Sequence, residues 1–121
     1  MTRPPRESDI QRRVLLLLGG LLHTLTARTA ATACYLPDGR GGYRLHRPLP
    51  AGWPDVTVIH HGRAVAVEVK RPGAGLRPTQ VVMQRAWEAA GGVWLTVTDP
   101  SQVTAALAAG GVCERCGCWK P

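Results

Sequence analysis

Gly52-Trp53-Pro54-Asp55-Val56-Thr57-Val58-Ile59-His60-His61-Gly62-Arg63-Ala64-Val65-Ala66-Val67-Glu68-Val69-Lys70 is the stretch that decides the fold. Two β-rich runs, 55–60 and 63–71, flank a His-Gly turn, the pattern of a hairpin. Side chains alternate along a strand, so Ala64, Ala66, Glu68 and Lys70 share one face while Val65, Val67 and Val69 share the other. A carboxylate and an ammonium on the small-residue face of an apolar strand are unfavourable unless something pairs with them. A divalent cation beside them would offset that cost.

Outward from the hairpin, the chain predicts helix-strand-strand-strand-helix-strand-helix. Ile10, Val14, Leu17, Leu18 and Leu21 fall on one stripe of an amphipathic helix over residues 6–23. A strand is expected over 32–36, a turn-rich loop over 37–42, and an irregular stretch with room for a short strand over 43–54. Pro72 and Gly75 break the chain before a second helix beginning at Pro78, a favourable first-turn residue. That helix ends at Gly91-Gly92, where glycine takes the left-handed cap. Its apolar stripe is Val82, Met83, Ala86 and Ala90, with Gln80 and Gln84 along one edge. Residues 93–98 read as a buried strand, and Asp99-Pro100 starts a short helix through 108. A helical crossover favours parallel pairing, so the expected fold is α/β, a small mixed β-sheet flanked by helices.

At 121 residues the chain suits one domain with a modest core, residues 1–109, followed by a Cys-rich tail, 110–121. An apolar fraction of 45% excludes wholesale disorder. The net charge of +7 comes from thirteen arginines and two lysines against eight acidic residues. Such a balance fits a polyanionic partner such as nucleic acid, although codon bias toward Arg, Ala and Gly also produces it. The apolar run 14–22 is too short to span a bilayer. It follows Arg12 and Arg13, but Glu7 and Asp9 interrupt any leader-like charge pattern. A cytoplasmic location with reduced cysteines is therefore expected.

Glu7 projects over the centre of the stripe formed by Ile10, Val14 and Leu18. A glutamate there either has a partner or is a first-turn carboxylate favoured by the helix dipole.

Arg6-Glu7-Ser8-Asp9-Ile10-Gln11, Gly52-Trp53-Pro54-Asp55, Glu68-Val69-Lys70 and Gln80 together resemble the virus-type replication-repair nuclease (VRR-NUC) domain of the PD-(D/E)xK nuclease superfamily. The similarity runs in order and spacing over about residues 6–107; the Cys-bearing tail lies outside it. The resemblance implies a restriction-endonuclease-like core and a Mg²⁺- or Mn²⁺-dependent deoxyribonuclease. Asp55 and Glu68 would supply hard oxygen ligands, with the Val69 carbonyl as an implied third and Glu7 reaching the ion directly or through water. Lys70 would orient the attacking water and stabilise the transition state, and Gln80 would hydrogen-bond near the metal or the lysine. Each residue also has a plain structural reading. Asp55 suits a turn after Pro54, and Glu68 with Lys70 suits a surface cross-strand pair.

Arg44, Arg47, Arg71 and Arg77, with Arg40, fall in segments flanking the proposed site and are candidate phosphate contacts, Arg71 and Arg77 foremost. Tyr43 and Trp53 have the chemistry to stack on a base, packing being the favoured role for Trp53. His23, His46, His60 and His61 form no zinc-like spacing. Cys113, Cys116 and Cys118 make a Cys-x-x-Cys-x-Cys cluster that needs a fourth ligand, from Cys34 or a partner chain, to hold structural Zn²⁺. Its alternative is a loose reduced tail.

Two functional classes follow. One is a structure-selective, resolvase-like DNA endonuclease of phage or bacterial replication, recombination or repair. Relatives implied by the resemblance pair as homodimers, which suits symmetric cuts in branched DNA. The other is a catalytically inactive DNA-binding module that retains the fold.

Overall fold

The computed structural model describes residues 3–29 and 34–121. In chain order it comprises α1 (Glu7–Gly19), β1 (Thr24–Arg28), β2 (Cys34–Pro37), β3 (Tyr43–His46), β4 (Val56–His60), β5 (Arg63–Val69), α2 (Pro78–Ala89), β6 (Val93–Val97), α3 (Pro100–Ala109), β7 (Gly111–Val112) and β8 (Trp119–Lys120). The hairpin read from the sequence is β4–β5, antiparallel from Val56↔Val67 to His60↔Arg63. The α2 crossover places β6 parallel to β5, with Glu68 opposite Thr96. β1 joins the outer side of β4 antiparallel, giving a mixed sheet in the order β1-β4-β5-β6. The architecture is therefore mixed α/β, as the crossover argument requires.

Period-two burial fixes which face of the hairpin meets which layer. Val56, Val58, Val65, Val67 and Val69 are fully buried and pack with Ile10, Val14 and Leu18 of α1 and Val103 and Leu107 of α3. Fully burying one such side chain stabilises by roughly 1.5–3 kcal/mol. A one-residue slip would turn all the hairpin valines away from this layer, so the register is strongly specified. α2 covers the opposite face, packing chiefly on β6.

Several expectations shift. The first helix ends at Gly19 rather than at residue 23, and the chain enters β1, which the sequence reading did not contain. Leu17, expected on the buried stripe, is 46% exposed; Gln11 is buried instead. The buried stripe is Ile10, Val14 and Leu18, and Leu21 packs against its edge. On α2, Val82 lies in solvent, while Met83, Ala86 and Ala90 line a shallow apolar groove with Trp53 and Trp87. The strand expected at 32–36 begins outside the described residues, and β2 starts at Cys34. It forms a separate two-stranded hairpin with β3. Residues 110–121 also fold, since β7 and β8 pair and Trp119 enters the main core.

Candidate active site

The sheet face opposite the valine core carries the acidic and basic groups. Glu68 and Lys70 are almost fully buried, which excludes the surface cross-strand pair. Lys70 Nζ stands 3.7 Å from Glu68 Oε1. Gln80, in the first turn of α2, donates from Nε2 to the same Oε1 at 2.7 Å. Its own Oε1 accepts the Arg77 N–H at 2.8 Å, so the start of α2 orients the amide toward the strand.

Asp55 is held just before β4 by a set of backbone and side-chain bonds. Its carboxylate accepts the Val69 N–H at 3.0 Å, and its own N–H points at Glu68 Oε2 at 3.3 Å. Behind it, the Thr29 N–H donates to the Asp55 carbonyl at 2.8 Å, and the Thr29 hydroxyl donates to the Pro54 carbonyl at 2.9 Å. Thr29 escaped the sequence reading, because a lone threonine after an edge strand carries no motif. The approach to Asp55 passes Gly52, whose φ is +83°. A Cβ there would collide with the Thr79 carbonyl, so the loop can lie against α2 only as glycine.

Glu7, Asp55, Glu68, Lys70 and Gln80 all line one cleft of about 400 Å³. Glu7 is half-buried at the start of α1, and its Oε1 faces the Arg71 N–H at 3.4 Å. Helix α1 and the β5 terminus thus meet at the cleft, and Glu7 is at the same time a first-turn carboxylate of α1. Of the candidate arginines, Arg47 and Arg77 line the cleft. Arg71 is exposed next to Lys70 at its rim, and Arg44 sits on β3 opposite Leu36. Trp53 also lines the cleft and packs edge-on against Trp87, with ring centroids 5.3 Å apart.

Burial, then the neighbouring charge of Asp55, push Glu68 up to about 7, against the opposing pull of Lys70. Two carboxyl groups this close repel when both are ionised. The donor set suits a hard divalent cation, since such an ion relieves that repulsion and accepts carboxylate oxygen. Among the described residues, no group of three or more His, Cys, Asp or Glu side chains is placed to hold a metal ion. Asp55 and Glu68 face the cleft together, with Glu7 lining the same cleft.

Elsewhere, all four cysteines are free thiols. Among the described residues, no helix is long and apolar enough to cross a membrane. No family model matches the sequence, and no curated protein matches it. A solved structure described as a VRR_NUC domain is similar to this one, with a TM-score of 0.60 and 20% identity. The match covers 85% of this chain and 95% of that one. The chain has a VRR-NUC-like fold.

Proposed function

We propose that this chain is a metal-dependent DNA endonuclease, structure-selective and resolvase-like, working as a homodimer in the cytoplasm of a bacterial or phage-infected cell. The observation that carries the reading is the convergence of Glu7, Asp55, Glu68, Lys70 and Gln80 on one cleft from α1, the hairpin and α2. Asp55 and Glu68 would hold Mg²⁺ or Mn²⁺, with the Val69 carbonyl and Glu7 completing the set. When bound, such an ion lowers the pKa of a coordinated water and neutralises charge on the scissile phosphate.

The chain's own residues do the rest. Lys70 presents an ammonium at the cleft floor, where developing phosphorane charge is stabilised in a poorly solvated setting. Gln80 and Lys70 both engage Glu68 Oε1, which fixes that carboxylate's orientation. Val69 N–H does the same for Asp55. Arg47 and Arg77 supply fixed positive charge on the cleft wall for the flanking phosphates.

The test is a cleavage panel of four-way junction, flap, nicked and linear DNA with Mg²⁺ or Mn²⁺, using Lys70→Ala as control. The expected result is metal-dependent cutting of branched substrates, reduced roughly 10²–10³-fold in Lys70→Ala. Binding without cutting under any metal would instead identify an inactive DNA-binding module. The dimer is checked by the solution mass of the same preparation.

A further inference from the structure

Among the described residues, β2 and β3 pair only with each other, and neither strand contributes a side chain to the core. A lone two-stranded hairpin is at best marginally stable in water, so an apolar face it leaves uncovered calls for a partner. The register assigns the faces. Tyr35 stands opposite Leu45 and Pro37 opposite Tyr43, so these four share one side. Cys34, Leu36, Arg44 and His46 share the other. The half-buried residues of the two strands, Leu36 and His46, both belong to that second side. Tyr35 and Tyr43 are 72% and 73% exposed, and Leu45 is exposed beside them. The hairpin therefore leans on the molecule by one face and turns two aromatic rings outward by the other.

The tip of the hairpin is held by hydrogen bonds. Asp38 Oδ1 accepts the Arg40 N–H at 2.7 Å and the Gly42 N–H at 3.0 Å, and the Asp38 N–H donates to the Gly42 carbonyl at 3.0 Å. Asp38 is the one acidic residue of segment 34–47, against Arg40, Arg44 and Arg47, all exposed. Its carboxylate is engaged by the turn, and the three guanidiniums set the sign of the surrounding surface. The segment then runs into the catalytic cleft. Arg47 directly follows β3, and Arg47, Leu49 and Pro50 line the cleft with Asp55 and Glu68. Positive charge with exposed aromatic rings is the combination that holds single-stranded nucleic acid, the charge meeting phosphates and the rings stacking on bases. Tyr35 and Tyr43 are diagonal neighbours, a relation that sets residues of an antiparallel pair about 7–8 Å apart. The rise per base along one strand is about 3.4 Å, so two such steps leave room for one base between the rings.

We propose that the β2–β3 hairpin is a docking arm for unpaired bases of DNA, Tyr35 and Tyr43 holding a base of a single-stranded segment whose phosphates pass Arg47 into the cleft. The inference rests on the endonuclease reading for the choice of DNA as the polyanion. It deepens that reading by assigning the feature of a branched substrate that is recognised. Inside a duplex the bases stack on one another and offer no free ring face, whereas a single-stranded arm does. The hairpin thus favours DNA with exposed bases beside the scissile phosphate. A second copy of the chain would also cover an apolar face, but the guanidiniums around these rings oppose an equally basic copy and favour a polyanion.

The experiment uses the full chain and fluorescence anisotropy without divalent metal, so that binding is read apart from cutting. The probes are an oligothymidylate, a blunt duplex and the same duplex with a single-stranded arm. Tyr35→Ala/Tyr43→Ala should weaken binding of the oligothymidylate and the armed duplex roughly 10-fold or more, and affect the blunt duplex less. Equal weakening on all three probes, or none, overturns the proposal. Tyr35→Phe/Tyr43→Phe should restore wild-type binding, because stacking uses the ring and not the hydroxyl; a loss equal to that of the alanine variant overturns it. Should the alanine variant not fold, the wild type decides. Irradiated with a bromodeoxyuridine-substituted oligonucleotide, it should crosslink at Tyr35 or Tyr43, and crosslinks confined to other residues overturn the proposal. A change of solution mass from dimer to monomer in the alanine variant assigns the face to a second copy and overturns it as well. The expected binding pattern without cleavage under any metal removes the endonuclease reading and leaves the arm standing. Cleavage with binding indifferent to both tyrosines does the opposite, and no binding to any probe removes both.

Discussion

The two faces of β5 are equally buried and chemically opposite. Val65, Val67 and Val69 meet α1 and α3 in a dry core, whereas Glu68 and Lys70 line the cleft, where Glu68 meets Gln80 of α2. On the first face burial stabilises, because apolar area leaves water. On the second, burial is unfavourable for the carboxylate, and the opposition shows as the raised pKa of Glu68. One strand therefore supplies apolar packing on one side and a buried charged pair on the other, the two alternating residue by residue.

The largest expected effect separates the faces by activity. Asp55→Asn should lower cleavage at least about 10²-fold while leaving the thermal transition in metal-free buffer nearly unchanged. Loss of fold in that variant would show that the polar face is also a structural support. Val67→Ala should do the reverse. It should destabilise by about 2 kcal/mol, lowering Tm by roughly 10 °C, while activity per folded molecule persists below the transition. Denaturant titration paired with cleavage assays checks both.

A smaller effect comes from pH. The folded Glu68 keeps its proton after the unfolded chain has released it, so its folded pKa lies above the unfolded one. The associated stability is fully present below about pH 4.5 and is lost as pH rises through about 7. Metal-free protein should therefore become less stable between pH 5 and 8, and Mn²⁺ should raise Tm more at pH 8 than at pH 5. An equal metal-induced shift at both values would argue that the ion does not engage Glu68. The smallest effect concerns Arg47 and Arg77. Replacing both with Ala should flatten the salt dependence of DNA binding by about one to two units of log–log slope. An unchanged slope would take them out of the interface.

The hairpin, α2 and the crossover strand were legible in the sequence because each combines an unambiguous period with glycine or proline punctuation. That Asp55, Glu68 and Lys70 can aim at one point was legible from strand alternation, whereas Glu7 and Gln80, which line the same cleft, joined them only through the family resemblance. β1 was not legible. Thr24-Leu25-Thr26-Ala27-Arg28 is a short edge strand with Leu25 69% exposed, so its alternation carries little apolar contrast. Leu17 misled because a run of leucines at 15–18 contains several stripes, and only contact with the sheet chooses among them. Thr29 and the seat of Trp119 on the His61 carbonyl depend on tertiary contacts between segments far apart in the chain, which no local pattern encodes.

The missing side chain at Gly52 couples two walls of the cleft. Because the approach loop rests directly on the Thr79 carbonyl, any bulk introduced there presses on the opening turn of α2, and through it on Gln80 and its grip on Glu68. Reactivity could thus be tuned, by design or by drift, from a position that touches neither acid nor amine.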